Sequence, residues 1–228
     1  MSARPAAPRR ETAAEEVYRA LRRDLITLVH RPGAALTEQE LAARYGTSRV
    51  PVREACRRLQ QEGFLTGIPF KGYFVTPISA KEISDCFELR LALEGHALRL
   101  AIERADERAI ARLETLAAKR YTSHDWASYT EFLERNLEFH LQLAALSGNE
   151  RLVATLRSLL ASMQRFFFLG LDLGDYGAEM SDEHRHLIAA VRQRRKREAR
   201  ECLERQIARS RERIVRALAE RRVDLPLE

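Results

Sequence analysis

Between Thr37 and Gly63 the sequence starts a helix, breaks it and starts another, within a stretch that one bundle helix would cross unbroken. Thr37-Glu38-Gln39-Glu40 is a capping box, in which the threonine hydroxyl and the Glu40 carboxylate satisfy free amides at a helix start. That helix reaches only Tyr45, because Gly46-Thr47-Ser48 turns the chain. The next runs from Arg49 to about Glu62 and is ended by Gly63. Pro51 is tolerated in its first turn, where the missing N–H would be unpaired anyway. Upstream, Val17, Leu21, Leu25 and Leu28 share one face of a helix expected over 13–29, stopped by Arg31-Pro32-Gly33. Downstream, Phe64-Leu65-Thr66 and Tyr73-Phe74-Val75-Thr76 read as two strands joined through Gly67–Gly72. Helix, short helix, tight turn, helix and hairpin make a winged helix-turn-helix.

The rest of the chain has a different rhythm. Thr76-Pro77-Ile78 reads as a linker, and Ser79-Ala80-Lys81-Glu82 is a second capping box. Everything beyond is helical in pattern, with helices expected near 80–104, 106–120, 125–147, 149–169, 181–193 and 196–221. The stretch Gly170–Met180 reads as the clearest break, and the basic run Arg192–Arg197 as a solvated helix end. The expected class is mainly α: a basic disordered arm over 1–12, a winged helix-turn-helix over 13–77, and an all-α bundle over 78–228. No apolar run approaches the ~18 residues needed to cross a bilayer. The first residues lack a signal peptide's apolar stretch, and Cys56, Cys86 and Cys202 are scattered singly. A cytoplasmic protein with reduced thiols and no membrane partner is expected.

Charge is unevenly placed. The formal net charge is +6, yet residues 1–77 hold 13 basic and 8 acidic side chains and so carry nearly all of it. That is the footprint of a surface for phosphates. Along 49–62, Val52, Ala55, Cys56 and Leu59 gather on one side, and Arg49, Val50, Arg53, Arg57 and Gln60 on the other. Apolar behind and cationic in front suits a helix lying in a DNA major groove. Arginine's planar fork can donate two hydrogen bonds to guanine, so Arg49 and Arg53 are the expected base readers. Thr37, Arg44, Thr47 and Ser48 sit near helix starts, where hydroxyls and amides can hold phosphates. Lys71 and Gly72, at the hairpin tip, are placed to reach the minor groove. An ordinary solvated amphipathic helix would explain the arginines alone, but not the turn and hairpin beside them.

These residues also carry a resemblance. Leu36–Ala42, Gly46–Arg49, Pro51–Ala55, Leu59, Glu62-Gly63 and Gly72–Val75 resemble the GntR family of bacterial transcriptional regulators. Glu88-Leu89-Arg90, Leu93-Glu94, Phe139-His140, Ser147-Gly148-Asn149, Leu152 and Glu183-His184 resemble its FadR-type (FCD) effector domain. The resemblance implies a homodimeric operator-binding regulator; a palindromic operator of double-stranded DNA and repression are the expected mode of action. Its helical domain would bind a small carboxylate-type metabolite, often beside a metal ion. Where some FadR-like members carry a DNA-contacting arginine in the second helix, this chain has Gln39.

Wheel arithmetic adds a polar centre to the helical part. Arg90 and Glu94 fall inside a wide apolar arc flanked by Ile83, Phe87, Leu91, Leu98 and Ile102 on one side and Leu89, Leu93 and Leu100 on the other. Asn136 and His140 sit in the middle of another apolar face, His184 lies beside Leu187 and Ile188, and Gln206 and Ser210 lie between Cys202, Leu203 and Ile207. Polar groups in an apolar interior cost about 1–3 kcal/mol each unless paired. Several of them on different helices suggest a ligand cavity. Arg90 and Glu94 also fit an internal i,i+4 ion pair or an interface contact, and each histidine alone fits a hydrogen-bonded core residue. The expected effector set is Arg90, Asn136, His140, His184 and Gln206, with Arg90 gripping the carboxylate. In the resembled family one subgroup holds a divalent ion through an Asp four residues before a His, plus two later histidines. The corresponding positions here are Asn136, His140, His184 and Gln206. Two imidazoles and two amides would hold zinc or nickel weakly. A metal-dependent sensor of the same family, and a metal-assisted hydrolase, are the alternatives. No GxSxG, HExxH or Walker pattern occurs, and an enzyme is not expected.

Overall fold

The computed structural model describes residues 12–118, 121–122, 125–171 and 176–220, so the expected arm over 1–12 lies, but for Thr12, outside the described residues. The chain divides into two units, one ending at Thr76 and the other beginning at Pro77.

In the first unit, α1 (Ala13–Ile26) starts at Thr12, whose hydroxyl accepts from the Glu15 amide. It buries Val17, Leu21 and Leu25 against α3 (Arg49–Gln61), which returns Val52, Cys56 and Leu59. Burying such side chains is worth roughly 1.5–3 kcal/mol each. Polar contacts flank that seam: the Tyr18 hydroxyl donates to Glu62 at 2.7 Å, and Arg58 pairs with Glu15 at 2.6 Å. Between them α2 (Glu38–Arg44) carries the full capping box of Thr37 and Glu40. α1 ends three residues before the expected Val29, because Leu28 takes a left-handed φ of 58° and the Val29 and His30 amides fold back onto the Asp24 carbonyl.

The hairpin is longer and its loop shorter than the sequence suggested. β2 is Leu65–Ile68 and β3 is Gly72–Val75, so Gly67 and Ile68 belong to a strand rather than to a loop. A third strand, β1 (Ala35–Leu36), has no counterpart in the sequence reading. It pairs antiparallel with β3, giving the order β1-β3-β2.

The second unit contains α4 (Ala80–Arg104), α5 (Glu107–Ala117), α6 (Trp126–Ala145), α7 (Glu150–Leu171), α8 (Gly177–Arg192) and α9 (Lys196–Glu220). By length and composition alone α7 could cross a membrane, but most of it is buried here as a core helix, including Gln164 and Arg165. The expected break over 170–180 is shorter than its glycines implied. α7 continues through Gly170, which is glycine because an added Cβ would meet the Ile214 side chain of α9 at 3.1 Å. α8 begins four residues ahead of the expected position 181. Within the basic run, Arg194 caps α4, donating to the carbonyls of Ile102 at 3.3 Å and Glu103 at 2.8 Å. Leu89 and Leu91, at the edges of the apolar arc of α4, are 46% and 39% exposed.

Candidate nucleic-acid interface and interior polar site

α3 presents the face that its sequence promised. Its apolar side is sealed against α1, which turns Arg49, Val50, Arg53, Arg57 and Gln60 outward. Arg53 donates to both Glu38 carboxylate oxygens at 2.7 Å, and Arg49 donates to the Gln39 side-chain oxygen at 3.0 Å. Both arginines are therefore held by side chains of α2. Val50 is 71% exposed, a shape suited to a thymine methyl group. Ser48 is the N-cap of α3 and makes no side-chain capping bond, while Thr47 is half-buried with its amide on the Ala42 carbonyl.

Two of the expected DNA residues have structural partners. Arg44 donates to Asp24 at 3.2 and 3.0 Å, and the Tyr45 hydroxyl donates to the same oxygen at 3.0 Å. Burial, and then the Asp24 charge, raise the Tyr45 hydroxyl well above its ordinary pKa, so it stays a donor. Gly72 takes a φ of 96°, and an added Cβ would stand 2.9 Å from the Leu36 carbonyl oxygen. Its bare Cα admits β1. Lys71 is exposed at the hairpin tip.

The second site lies inside the helical unit. Arg90 and Glu94, one turn apart on α4, are 2% and 4% exposed and pair at 2.6 Å. His140 of α6 completes a triangle, with Nδ1 at 2.7 Å from Glu94 and Nε2 at 3.0 Å from Arg90. A carboxylate only accepts and a guanidinium only donates, so the contacts require a neutral imidazole with its proton on Nδ1. The pKa directions agree. Burial pushes the His140 imidazole below its ordinary value against the pull of Glu94. Burial would raise the Glu94 carboxyl, but Arg90 and His140 outweigh it and hold it down to about 2. His184 of α8 stands 5.5 Å from the His140 ring and lies against Phe139 at 4.0 Å, ring centre to ring centre. Burial, then His140 and Arg90, take its pKa well below the usual 6.5, and it too is neutral.

Beside this triangle is a void of about 20 Å³, with Arg90, Asn136, His140, Gln206, Ser210 and Arg213 among its walls. That is room for one water molecule. Asn136 Oδ1, His184 Nε2, Gln206 Oε1 and Arg213 Nη2 are buried without a hydrogen-bond partner. The structure thus gathers all five expected effector residues into one region. It adds Arg213, which ion-pairs with Glu179 at 3.3 Å. The sequence held the signal: Gln206, Ser210 and Arg213 are spaced 4 and 3 apart on α9, one face of a helix.

This arrangement does not suit a resident divalent ion. The free lone pair of His140 faces Arg90, whose charge would repel a dication. Among the expected site residues the atoms without a hydrogen bond belong to one imidazole and two neutral amides, and the nearby Glu183 carboxylate is paired with Arg213, whereas zinc favours anionic or several imidazole ligands. Among the described residues, no group of three or more His, Cys, Asp or Glu side chains is placed to hold a metal. Because both His140 nitrogens are engaged, that imidazole has no free position for a general base.

Residues 13–75 match the gntR family of bacterial regulatory proteins, and residues 85–209 match the FCD domain. The chain belongs to the GntR family and carries an FCD domain. It is 43% identical to the Nta operon transcriptional regulator of Aminobacter aminovorans over 57% of its own length and 61% of that relative's. It is 30% identical to the HTH-type transcriptional regulator YdhC of Bacillus subtilis over 82% of this chain and 84% of the relative. A GntR regulator from Rhodococcus sp. RHA1 shares the fold, with a TM-score of 0.71 at 22% identity, covering 90% of this chain and 98% of that one. As a GntR regulator with an FCD domain, the chain is a DNA-binding transcriptional regulator.

Proposed function

We propose that this GntR regulator is a repressor, acting in the cytoplasm as a homodimer on a palindromic operator, and released by a small carboxylate metabolite in the helical unit. Two reading heads on one duplex match two half-sites a helical turn apart. Leu89 and Leu91, exposed on α4, offer apolar surface for a second copy to cover. The observation that carries the effector reading is the set of buried polar atoms with no hydrogen bond, beside the Arg90–Glu94–His140 triangle. Arg90, the expected grip, is taken up by Glu94 and His140, so the donor offered to a carboxylate is Arg213 Nη2, which has no hydrogen bond and stands 3.7 Å from Glu183. Asn136 Oδ1 and Gln206 Oε1 accept, and so call for a hydroxyl or ammonium on the same ligand. A hydroxy or amino acid satisfies both. The void is too small for such a molecule, so binding moves side chains, Phe167 of α7 among the walls. Two residues away, Arg165 pairs with Glu82 at 2.7 Å and reaches the Pro77 carbonyl at 3.5 Å. A shift of α7 is therefore passed to the start of the helical unit, where the linker enters.

The test uses a duplex enriched from a random pool by the full-length protein, with affinity read by fluorescence anisotropy. A panel of short carboxylic acids, with and without a hydroxyl or amino group, is then added. Release by a hydroxy or amino acid, and a weaker effect from the unsubstituted acid, is expected. A protein that holds its duplex unchanged throughout the panel overturns the effector reading while leaving DNA binding standing.

A further inference from the structure

The tip of the hairpin is built in a way that costs the free protein stability. The chain reverses over Ile68–Lys71, closed by the Lys71 amide donating to the Ile68 carbonyl at 3.1 Å. Pro69 fixes a negative φ at the second position of the turn. Phe70 follows at a φ of 65°. Proline first and positive φ next define a type II turn, whose third position ordinarily goes to glycine because a Cβ crowds the backbone there. A bulky side chain at positive φ is an outlier. Nothing in the free protein offsets it, because the Phe70 ring is fully exposed, at 108% of its reference area. Ile68, at the foot of the turn, is 39% exposed as well. Strain of this kind, held by a closed turn, points to a role in the bound state.

The hairpin is seated where such a ring would meet nucleic acid. Gly67 lies so close to Gln60, in the last turn of α3, that an added Cβ would stand 2.9 Å from the Gln60 oxygen. The tip therefore stands beyond the C-terminal end of the helix whose N-terminal arginines face the major groove. The next surface along the duplex is the flanking minor groove. Apolar side chains that enter a minor groove act as wedges between base steps, and aromatic rings stack on bases of any sequence. We propose that Phe70 is a minor-groove wedge, inserting at a base step beside each half-site, with Lys71 pairing the adjacent phosphate. The proposal rests on the DNA-binding role of this unit. It gives the chain a second source of specificity. Pyrimidine–purine steps unstack most easily, so the wing selects TA or CA/TG flanks that no side chain reads directly.

The experiment uses the full-length protein and a duplex enriched from a random pool, with 2-aminopurine placed at the flanking step. Wild-type protein should enrich pyrimidine–purine flanks and raise the 2-aminopurine fluorescence on binding. Phe70→Gly should bind roughly tenfold more weakly, lose the flank preference and leave the fluorescence low. It should keep the core preference set by Arg49 and Arg53, and melt no earlier than the parent, because glycine relieves the turn. Phe70→Leu, still an apolar wedge, should recover part of the fluorescence change. Unchanged affinity and flank preference in Phe70→Gly overturn the wedge. So does an effect confined to self-association in sedimentation, which would make Phe70 a contact between copies. A Phe70→Gly protein that loses the core preference as well also overturns it. If the wild-type protein enriches no sequence, the DNA reading itself fails and the wedge with it, an outcome plainly different from the others.

Discussion

The two units use arginine in opposite ways. In the first, Arg53 is about half exposed and rests against Glu38 at the surface. In the second, Arg90 and Arg165 are sealed, with side chains 2% and 3% exposed, each against its own glutamate. A surface pair is worth little, because water covers either partner as it leaves. A buried pair cannot part without stranding a charge away from water. On the proposed DNA-reading role of α3, Arg53 can therefore trade its carboxylate for guanine or phosphate at small cost. The helical interior keeps its shape until a ligand replaces what it displaces.

The comparison breaks most visibly if the buried pair is cut. Arg90→Met leaves the Glu94 carboxylate buried with only a neutral imidazole beside it, and should destabilise the protein by about 3–5 kcal/mol. Adding Glu94→Leu should recover most of that loss, since an apolar pair of similar volume leaves no stranded charge. Urea unfolding of the single and double variants measures both. A single variant as stable as the parent would mean that the interior is wet and the contrast false. In a folded Arg90→Met protein, or in the double variant, the operator should still bind while the carboxylate response is lost.

Acid sharpens the same contrast. His140 and His184 are held neutral by burial, so their folded pKa values lie below the unfolded value near 6.5. The unfolded chain therefore takes up protons first, and stability must fall as pH drops below about 6.5. Each buried histidine contributes up to about 1.4 kcal/mol per pH unit. Glu94 acts lower down: its carboxyl is depressed to about 2, so its contribution is lost only as pH falls from the usual carboxylate range toward that value. Melting temperature followed from pH 7.5 to 5 should show the histidine slope, and His184→Gln should flatten it. A flat profile in the parent would place both imidazoles in contact with water.

Much of this contrast is legible in the sequence. The capping box at Thr37 and the wheel along 49–62 fix where α2 starts and which face α3 buries, because both are local rules of helix geometry. The i,i+4 spacing of Arg90 and Glu94 allowed an ion pair, and the fold shows one. What escaped depends on distant chain. β1 is two residues long and has no period of its own, and it exists because Gly72 lets it approach β3. Gly170 reads as a helix break until Ile214 is seen packed on it. That His140 bridges Glu94 and Arg90 requires α4 and α6 to lie side by side, which no spacing in the sequence states. Phe70 carries no signal in the sequence, because its meaning lies in its φ and its exposure.

On the DNA side, Arg53→Ala should weaken binding to an enriched duplex roughly five- to a hundredfold, and flatten preference at one base position per half-site. The first unit's core should be untouched, so melting should hardly move. Equal binding of enriched and scrambled duplexes by variant and parent would show that α3 is not the reader.

The smallest effect is the most specific to the surface pair. Glu38 holds Arg53 with two bonds of 2.7 Å, and any base contact by Arg53 must first undo them. Glu38→Gln removes the charge, keeps the size, and should tighten operator binding by about two- to fivefold, more at low salt than at high. Part of that gain would be general, since deleting any acid near phosphates favours DNA. The double variant separates the two. If Glu38 acts by restraining Arg53, Glu38→Gln should help little once Arg53 is Ala, whereas a general charge effect would persist unchanged. Acid should not imitate the substitution: the hydrogen bond from Arg53 holds the Glu38 carboxyl below its ordinary pKa, so it stays ionised from pH 8 down to pH 5. A gain that appears equally with and without Arg53 would show that the pair at the surface is an accident of proximity rather than a restraint on the reader.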